Sequence, residues 1–153
     1  MLRINRQTDY AIRVVLALSK RPRGLRVATS EIRDEMQVPP AFLQRIVAAL
    51  ANNGFIVTQL GRDGGMTLSR LPSEITLLQV IEVFEGTIFL SACVEDIYTC
   101  PFGLKCPVNR RWDRLRNLMR EELNRTTFEE LVHDAAALGE HVTNSLLTVV
   151  DLA

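Results

Sequence analysis

The sequence predicts a mainly α-helical chain that carries one short β-hairpin. Three observations carry this expectation. Apolar residues recur at helical spacing along most of the 153 residues, two β-prone runs flank a glycine-rich tip, and capping signals mark where helices open. That length suits one compact domain, or a small domain with an extended arm.

Residues 6–20 read as a first helix, with Ala11, Val14, Val15 and Leu18 on one face and Asn5 or Thr8 as the cap. Pro22 and Gly24 break it. A short second helix follows through Met36, capped by Thr29 or Ser30, with Ile32 and Met36 four apart. Pro39-Pro40 then opens a third helix to Asn52, since proline at the first turn removes a donor that has no partner there. Its stripe is Leu43, Ile46, Val47 and Leu50, and Gly54 closes it.

"FIVTQL" and "MTLSR" flank Gly61-Arg62-Asp63-Gly64-Gly65 and read as a hairpin. Thr76-x-x-Gln79 has the form of a capping box and opens a helix that ends at Gly86. Residues 87–106 lack periodicity and hold all three cysteines. A long helix starts at Pro107, with Val108, Trp112, Leu115, Met119 and Leu123 as a coiled-coil-like seam of about two heptads. Thr127-x-x-Glu130 caps another short helix, and the tail from 135 to 149 is weakly helical. The expected division is 1–72, 73–106 and 107–153: a helical domain with its hairpin, a linking helix with a cysteine loop, and a dimerisation helix with its tail.

Zero formal net charge hides a segregation. Residues 1–70 carry 11 Lys/Arg against 5 Asp/Glu, whereas residues 71–153 carry 7 against 13. A basic half joined to an acidic half points one end at a polyanion. No apolar run approaches the ~18 residues of a membrane helix. Arg6, Asp9 and Arg13 interrupt any signal-peptide pattern, so a cytoplasmic location without membrane contact is expected. Enzyme signatures are missing: there is no nucleotide-binding glycine loop, GxSxG or HExxH, and His133 and His141 lie far from any candidate nucleophile.

The order helix, helix, short turn, helix, hairpin is that of a winged helix-turn-helix. In such a fold the third helix meets base edges with its N-terminal residues. Pro40, Ala41, Phe42, Gln44 and Arg45 occupy that end, and Ser30 begins the preceding helix. Gln44 is able to hydrogen-bond a base edge twice, and Arg45 to reach guanine or phosphate. Gly64 lets backbone approach the sugar–phosphate chain, and Arg62 reaches phosphate or a minor groove. Arg3, Arg6, Arg13, Arg23 and Arg26 add positive charge. A winged helix that binds protein is the alternative.

"CVEDIYTCPFGLKCPVNRRW" spaces Cys93, Cys100 and Cys106 as C-x6-C-x5-C. Three thiolates from one loop suit one face of an iron–sulfur cluster. The dipole of the long helix favours a thiolate at Cys106. A thiol switch, a zinc site without C-x2-C spacing, and incidental cysteines are the other readings.

"TDYAIRVVLALS", "FLQRIVAALANNGFI", "GRDGGMTLS", "ITLLQVIEVFEG" and the cysteine segment, in this order, resemble the IscR, NsrR and RirA family of iron–sulfur transcriptional regulators. The resemblance spans residues 1–132. It implies a homodimer that binds an imperfect palindrome in double-stranded promoter DNA, with the long helix making the dimer. Leu60 stands where the family carries an arginine, and Met66 where it carries an aromatic.

The histidine of 2Fe–2S members corresponds to Asn109, a poor iron ligand, whereas Asp9 matches the partner-subunit aspartate of nitric-oxide-sensing 4Fe–4S members. The resemblance therefore implies a 4Fe–4S cluster in preference to 2Fe–2S, with Asp9 as its oxygen ligand. Asp9 also sits four residues before Arg13 and suits an i,i+4 ion pair. A cluster-free thiol-redox regulator of the same fold, and an iron–sulfur carrier without DNA binding, are the alternative functions.

Overall fold

The computed structural model describes residues 4–59, 61, 64–96, 100–102 and 105–150, with side chains for all of these except 92, 93 and 140–150. Among these residues seven α-helices and one hairpin follow in order: α1 (Arg6–Ser19), α2 (Thr29–Met36), α3 (Pro40–Asn52), β1 (Ile56–Gln59), β2 (Gly65–Leu68), α4 (Leu77–Glu85), α5 (Ala92–Glu95), α6 (Pro107–Arg125) and α7 (Phe128–Val150).

Helix α1 is the central element, touching α2, α3, α4, α7 and β2. Its cap is Asn5, whose side chain accepts the Thr8 N–H at 2.9 Å. Thr8 lies one turn inside and is buried. Ala11, Val14, Val15 and Leu18 enter the core as their spacing requires. Helix α2 corrects the expected cap. Ala28 holds that position with no side-chain hydrogen bond, and Thr29 and Ser30 are its first helical residues. Gln37, left-handed at φ 52°, ends α2 and turns the chain into Pro39-Pro40. Helix α3 buries Leu43, Ile46 and Leu50 and leaves Ala41, Gln44 and Arg45 outward.

The two strands pair antiparallel from Ile56↔Leu68 to Gln59↔Gly65. A one-residue third strand joins them. Val27 N–H donates to the Met66 carbonyl at 3.0 Å, and Met66 N–H to the Val27 carbonyl at 2.9 Å. This exchange lies over fully buried Met66 and ties the hairpin to the start of α2.

Thr76 and Gln79 form the expected capping box of α4, and Gly86 at φ 72° ends the helix. Ile75 and Val80 share the α1–α3 core with Phe128 of α7. Leu77 N–H to the Thr126 carbonyl (2.9 Å) and Phe128 N–H to the Ile75 carbonyl (3.0 Å) pin α4 to the α6–α7 turn.

Two expectations for the C-terminal half change. First, the short helix plus weak tail is one 23-residue helix, α7. No proline interrupts 128–150, and Ala135-Ala136-Ala137 favour helix strongly enough to carry it past Gly139. Second, the α6 seam splits. Met119 and Leu123 turn inward and pack with Leu78, Ile81 and Ile88, whereas Val108, Trp112, Leu115 and Leu118 stay 40–54% exposed. The Arg120–Glu82 ion pair reinforces the inward face. Among the described residues no helix is long and apolar enough to cross a membrane.

Candidate nucleic-acid interface and cysteine segment

The N-terminal end of α3 is held by backbone geometry. Pro39 is extended and Pro40 is the first helical residue, so the first turn begins without a side-chain cap. Pro40, Ala41, Gln44 and Arg45 are exposed together on the outward face. Phe42 behaves differently: its ring meets Tyr10 edge-on, with centroids 5.3 Å apart at 60°. That contact anchors α3 to α1 and directs the aromatic inward. Ser30 is exposed in the first turn of α2.

The hairpin projects beside these helices. Gly64 N–H donates to the Gly61 carbonyl at 3.0 Å, closing the turn at its tip. Leu60 and Arg62 lie outside the described residues. At the hairpin's base, Arg70 stacks over Phe55 at 4.3 Å and donates to the Gly54 carbonyl, which commits its charge locally. Arg21 is similarly committed to Glu31 and Glu35. Arg6, Arg23, Arg26 and Arg45 are exposed, while Arg3 lies outside the described residues. The tethering of Arg21 and Arg70 was missed from sequence, because each partner is 10 or more residues away.

The cysteine segment connects α4 to α6. Cys93 falls within the short helix α5, which corrects the expectation of an unbroken loop. Four residues cannot show a period, so nothing in the pattern marked it. Cys100 and Cys106 are half-buried free thiols, and Cys106 is the N-cap of α6. Asn109 is buried in the first turn of α6, 8% exposed. Among the described residues no group of three His, Cys, Asp or Glu is assembled. Asp9 accepts from Arg13 at 2.6 Å, the i,i+4 pair its spacing suggested, and both side chains are about half exposed.

One network joins the end of α4 to the start of α1. Glu85, at the end of α4, accepts the Asn5 N–H at 2.9 Å and the Thr8 hydroxyl at 2.5 Å. The start of α1 is thereby fastened to the helix that leads into the cysteines.

The family model for Rrf2, an iron-dependent transcriptional regulator, matches residues 4–134. The chain belongs to the Rrf2 family. Protein aau3 of Rhizobium meliloti is 32% identical over 132 residues, 86% of this chain and 85% of that relative. An HTH-type transcriptional regulator of Mycobacterium tuberculosis is 30% identical over 147 residues, 92% of this chain and 86% of the relative. Among solved structures, CymR, the global cysteine regulator of B. subtilis, superposes with TM-score 0.73 at 28% identity, covering 87% of this chain and 98% of CymR. Regulators named IscR and NsrR also match, at 23% and 26% identity. This Rrf2 chain is thus a transcriptional regulator with a DNA-binding winged-helix fold, and its relatives are regulators, not enzymes.

Proposed function

We propose that this Rrf2 chain is a cytoplasmic homodimeric regulator that reads an imperfect palindrome in promoter DNA under control of an iron–sulfur cluster. Cys93, Cys100 and Cys106 hold the cluster, and Asp9 of the partner subunit supplies an oxygen ligand in a 4Fe–4S form, with 2Fe–2S as the variant. Ser30, Pro40, Ala41, Gln44, Arg45, Arg62 and Gly64 form the DNA surface, and Phe42 supports it from behind. Residues 1–72 read DNA, 73–106 sense, and 107–153 carry the dimer helix and tail.

The observation that carries this reading is the position of the cysteines. They occupy the connection between α4 and α6, and Cys106 is the residue from which α6 starts. A change in what Cys106 is bonded to acts directly on the first turn of that helix.

The donor set fits the group. Cys100 and Cys106 are unpaired thiols that retain solvent access, and soft sulfur donors suit iron–sulfur clusters. When bound, the cluster supplies a centre sensitive to redox state, nitric oxide and iron supply. Asp9 must leave Arg13 to act as a ligand. Half-exposed pairs of that kind are worth roughly 0–1 kcal/mol, so the ion pair opposes ligation only weakly. Asn109 is buried in its own helix, which leaves it poorly placed as a substitute.

The chain's own residues transmit the state. Thr8 and Asn5 hold Glu85, so a movement of α4 reaches the N-terminus of α1, and α1 packs against both α2 and α3. Two reading heads engage two half-sites only at a fixed separation.

A second reading keeps the same residues without a cluster. Two free, half-buried thiols suit a thiol-redox switch, and CymR is described as a cysteine regulator. Anaerobic purification with absorption and Mössbauer spectra, together with iron and sulfide analysis, separates the two. A cluster-bearing chain is expected to show a charge-transfer band with stoichiometric iron and sulfide, lost in Cys100→Ala. Colourless protein after reconstitution overturns the cluster and favours the thiol switch.

A further inference from the structure

The first turn of α3 is held from behind by side chains stacked on α1. No side-chain hydrogen bond caps this helix, so packing sets how its N-terminal end sits against α1. Two residues at that end pack inward. Leu43 is buried, and Phe42 is half-buried with its ring edge-on to Tyr10, centroids 5.3 Å apart. Their neighbours Ala41, Gln44 and Arg45 are exposed. Tyr10 is itself held in place. It packs against the main core, and the Arg13 guanidinium lies over its ring at 5.5 Å while donating to Asp9 at 2.6 Å.

We propose that Tyr10 is a positioning residue for base recognition: through Phe42 it sets the roll of α3 about its axis, and so the reach of Gln44 toward base edges. This rests on α3 being the base-reading helix and adds a residue that acts without touching DNA. Phe42 and Gln44 are two residues apart, which places them roughly 200° apart around the helix and about 3 Å apart along it. They therefore lie on nearly opposite sides of the axis. A roll that lets Phe42 sink into space vacated by the Tyr10 ring carries Gln44 the other way by a similar distance.

Base contacts and phosphate contacts respond differently to such a roll. An amide that hydrogen-bonds a base edge twice works within donor–acceptor distances of about 2.7–3.2 Å, so a shift of about 1 Å breaks the pair. Arginine contacts to phosphate come from long side chains that follow a shift of that size, and they carry no sequence information. Loss of the Tyr10 ring is therefore expected to cost specificity while leaving general DNA affinity in place. The contact to Phe42 is made by the ring, so phenylalanine at position 10 preserves it.

The test selects duplexes from random sequence with the full chain, then measures anisotropy with the selected duplex and a scrambled one at several salt concentrations. Tyr10→Ala is expected to bind the selected duplex roughly tenfold more weakly, the size of one lost bidentate base contact. Its affinity for the scrambled duplex and its salt slope are expected to match the parent's, because no phosphate contact is lost. Tyr10→Phe is expected to stay within about twofold of the parent on both duplexes. A general loss of folded protein would instead lower binding to both duplexes alike. Repeating the selection with Tyr10→Ala is expected to relax preference at the same base pairs that Gln44→Ala relaxes. A Tyr10→Ala chain that keeps the parent's ratio between the two duplexes overturns the positioning role. So does a Tyr10→Phe chain as impaired as Tyr10→Ala, or a reduced salt slope, either of which assigns Tyr10 to direct DNA contact. A Gln44→Ala chain with the parent's preference at every base pair overturns the base-reading role of Gln44 itself.

Discussion

Replacing Gly65 with alanine tests how the hairpin is attached to the helical core. A Cβ built there falls 2.5 Å from the Val27 carbonyl oxygen and 2.9 Å from its carbon. Both are backbone atoms, so no side-chain rotation relieves the clash, and either the hairpin or the Val27 segment must move. The first contacts to open are the reciprocal hydrogen bonds between Val27 and Met66, at 3.0 and 2.9 Å. Two such bonds contribute about 1–3 kcal/mol together. That is the expected loss, provided that Met66 keeps its burial. For a chain of this size it corresponds to a fall in Tm of about 3–10 °C. Urea denaturation followed by circular dichroism gives the free energy directly, with Gly139→Ala in α7 as control. Nothing lies within 4 Å of a Cβ at Gly139, and alanine there is expected to be neutral or stabilising by up to about 1 kcal/mol. A Gly65→Ala chain that denatures with the parent's midpoint would mean that the close approach to Val27 carries no cost.

Four further outcomes follow from named contacts. Phe128→Ala removes a fully buried ring that docks α7 against α1 and α4, and should cost about 3–5 kcal/mol by chemical denaturation. Asn5→Ala removes the cap on the Thr8 N–H and should cost about 1 kcal/mol, while the main-chain N–H of residue 5 keeps its bond to Glu85. Arg45→Ala should lower duplex-DNA affinity and, if it neutralises a phosphate, reduce the salt slope of binding by about 1, read from anisotropy titrations at several ionic strengths. The hydrogen bond from Arg33 holds the Asp34 carboxyl below its ordinary range. A depressed carboxylate pKa makes this contact present at neutral pH and lost only as pH falls through the lowered value. Arg33→Ala should therefore raise the Asp34 midpoint in an NMR titration.

Long periodic elements were legible in the sequence. The stripes of α1 and α3, the capping box of α4 and the glycine-tipped hairpin each have a local cause, and the structure forms them within a residue or two of expectation. Elements whose cause lies elsewhere in the chain were hidden. The one-residue strand at Val27 exists because Met66 supplies its partner, and no pattern within "RPRGLRV" announces it. Helix α5, four residues long, spans little more than one turn and so shows no period. The length of α7 follows from propensity and from Phe128, not from an amphipathic stripe read in the tail.

The candidate site divides in the same way. Which residues of α3 face outward followed from its apolar stripe, because Leu43, Ile46 and Leu50 leave Gln44 and Arg45 on the other side. The inward turn of Phe42 required knowledge of Tyr10, 32 residues away. For α6, spacing alone marked Met119 and Leu123 as part of one seam with Val108 and Leu115. Packing against Leu78 and Ile81 assigns them to a different face. Asp9 illustrates the ambiguity of a single carboxylate, since the ion pair with Arg13 and a ligand role draw on the same oxygen atoms.

In the proposed regulator the state of the cysteine segment sets the DNA-reading geometry through α6, α4 and α1. The most direct test is the affinity for a duplex selected from random sequence, measured at one fixed salt concentration for the cluster-loaded and cluster-free chain. The two affinities are expected to differ by tenfold or more, with Glu85→Ala narrowing the gap by cutting the link to Asn5 and Thr8. Equal affinity of the two forms would contradict it.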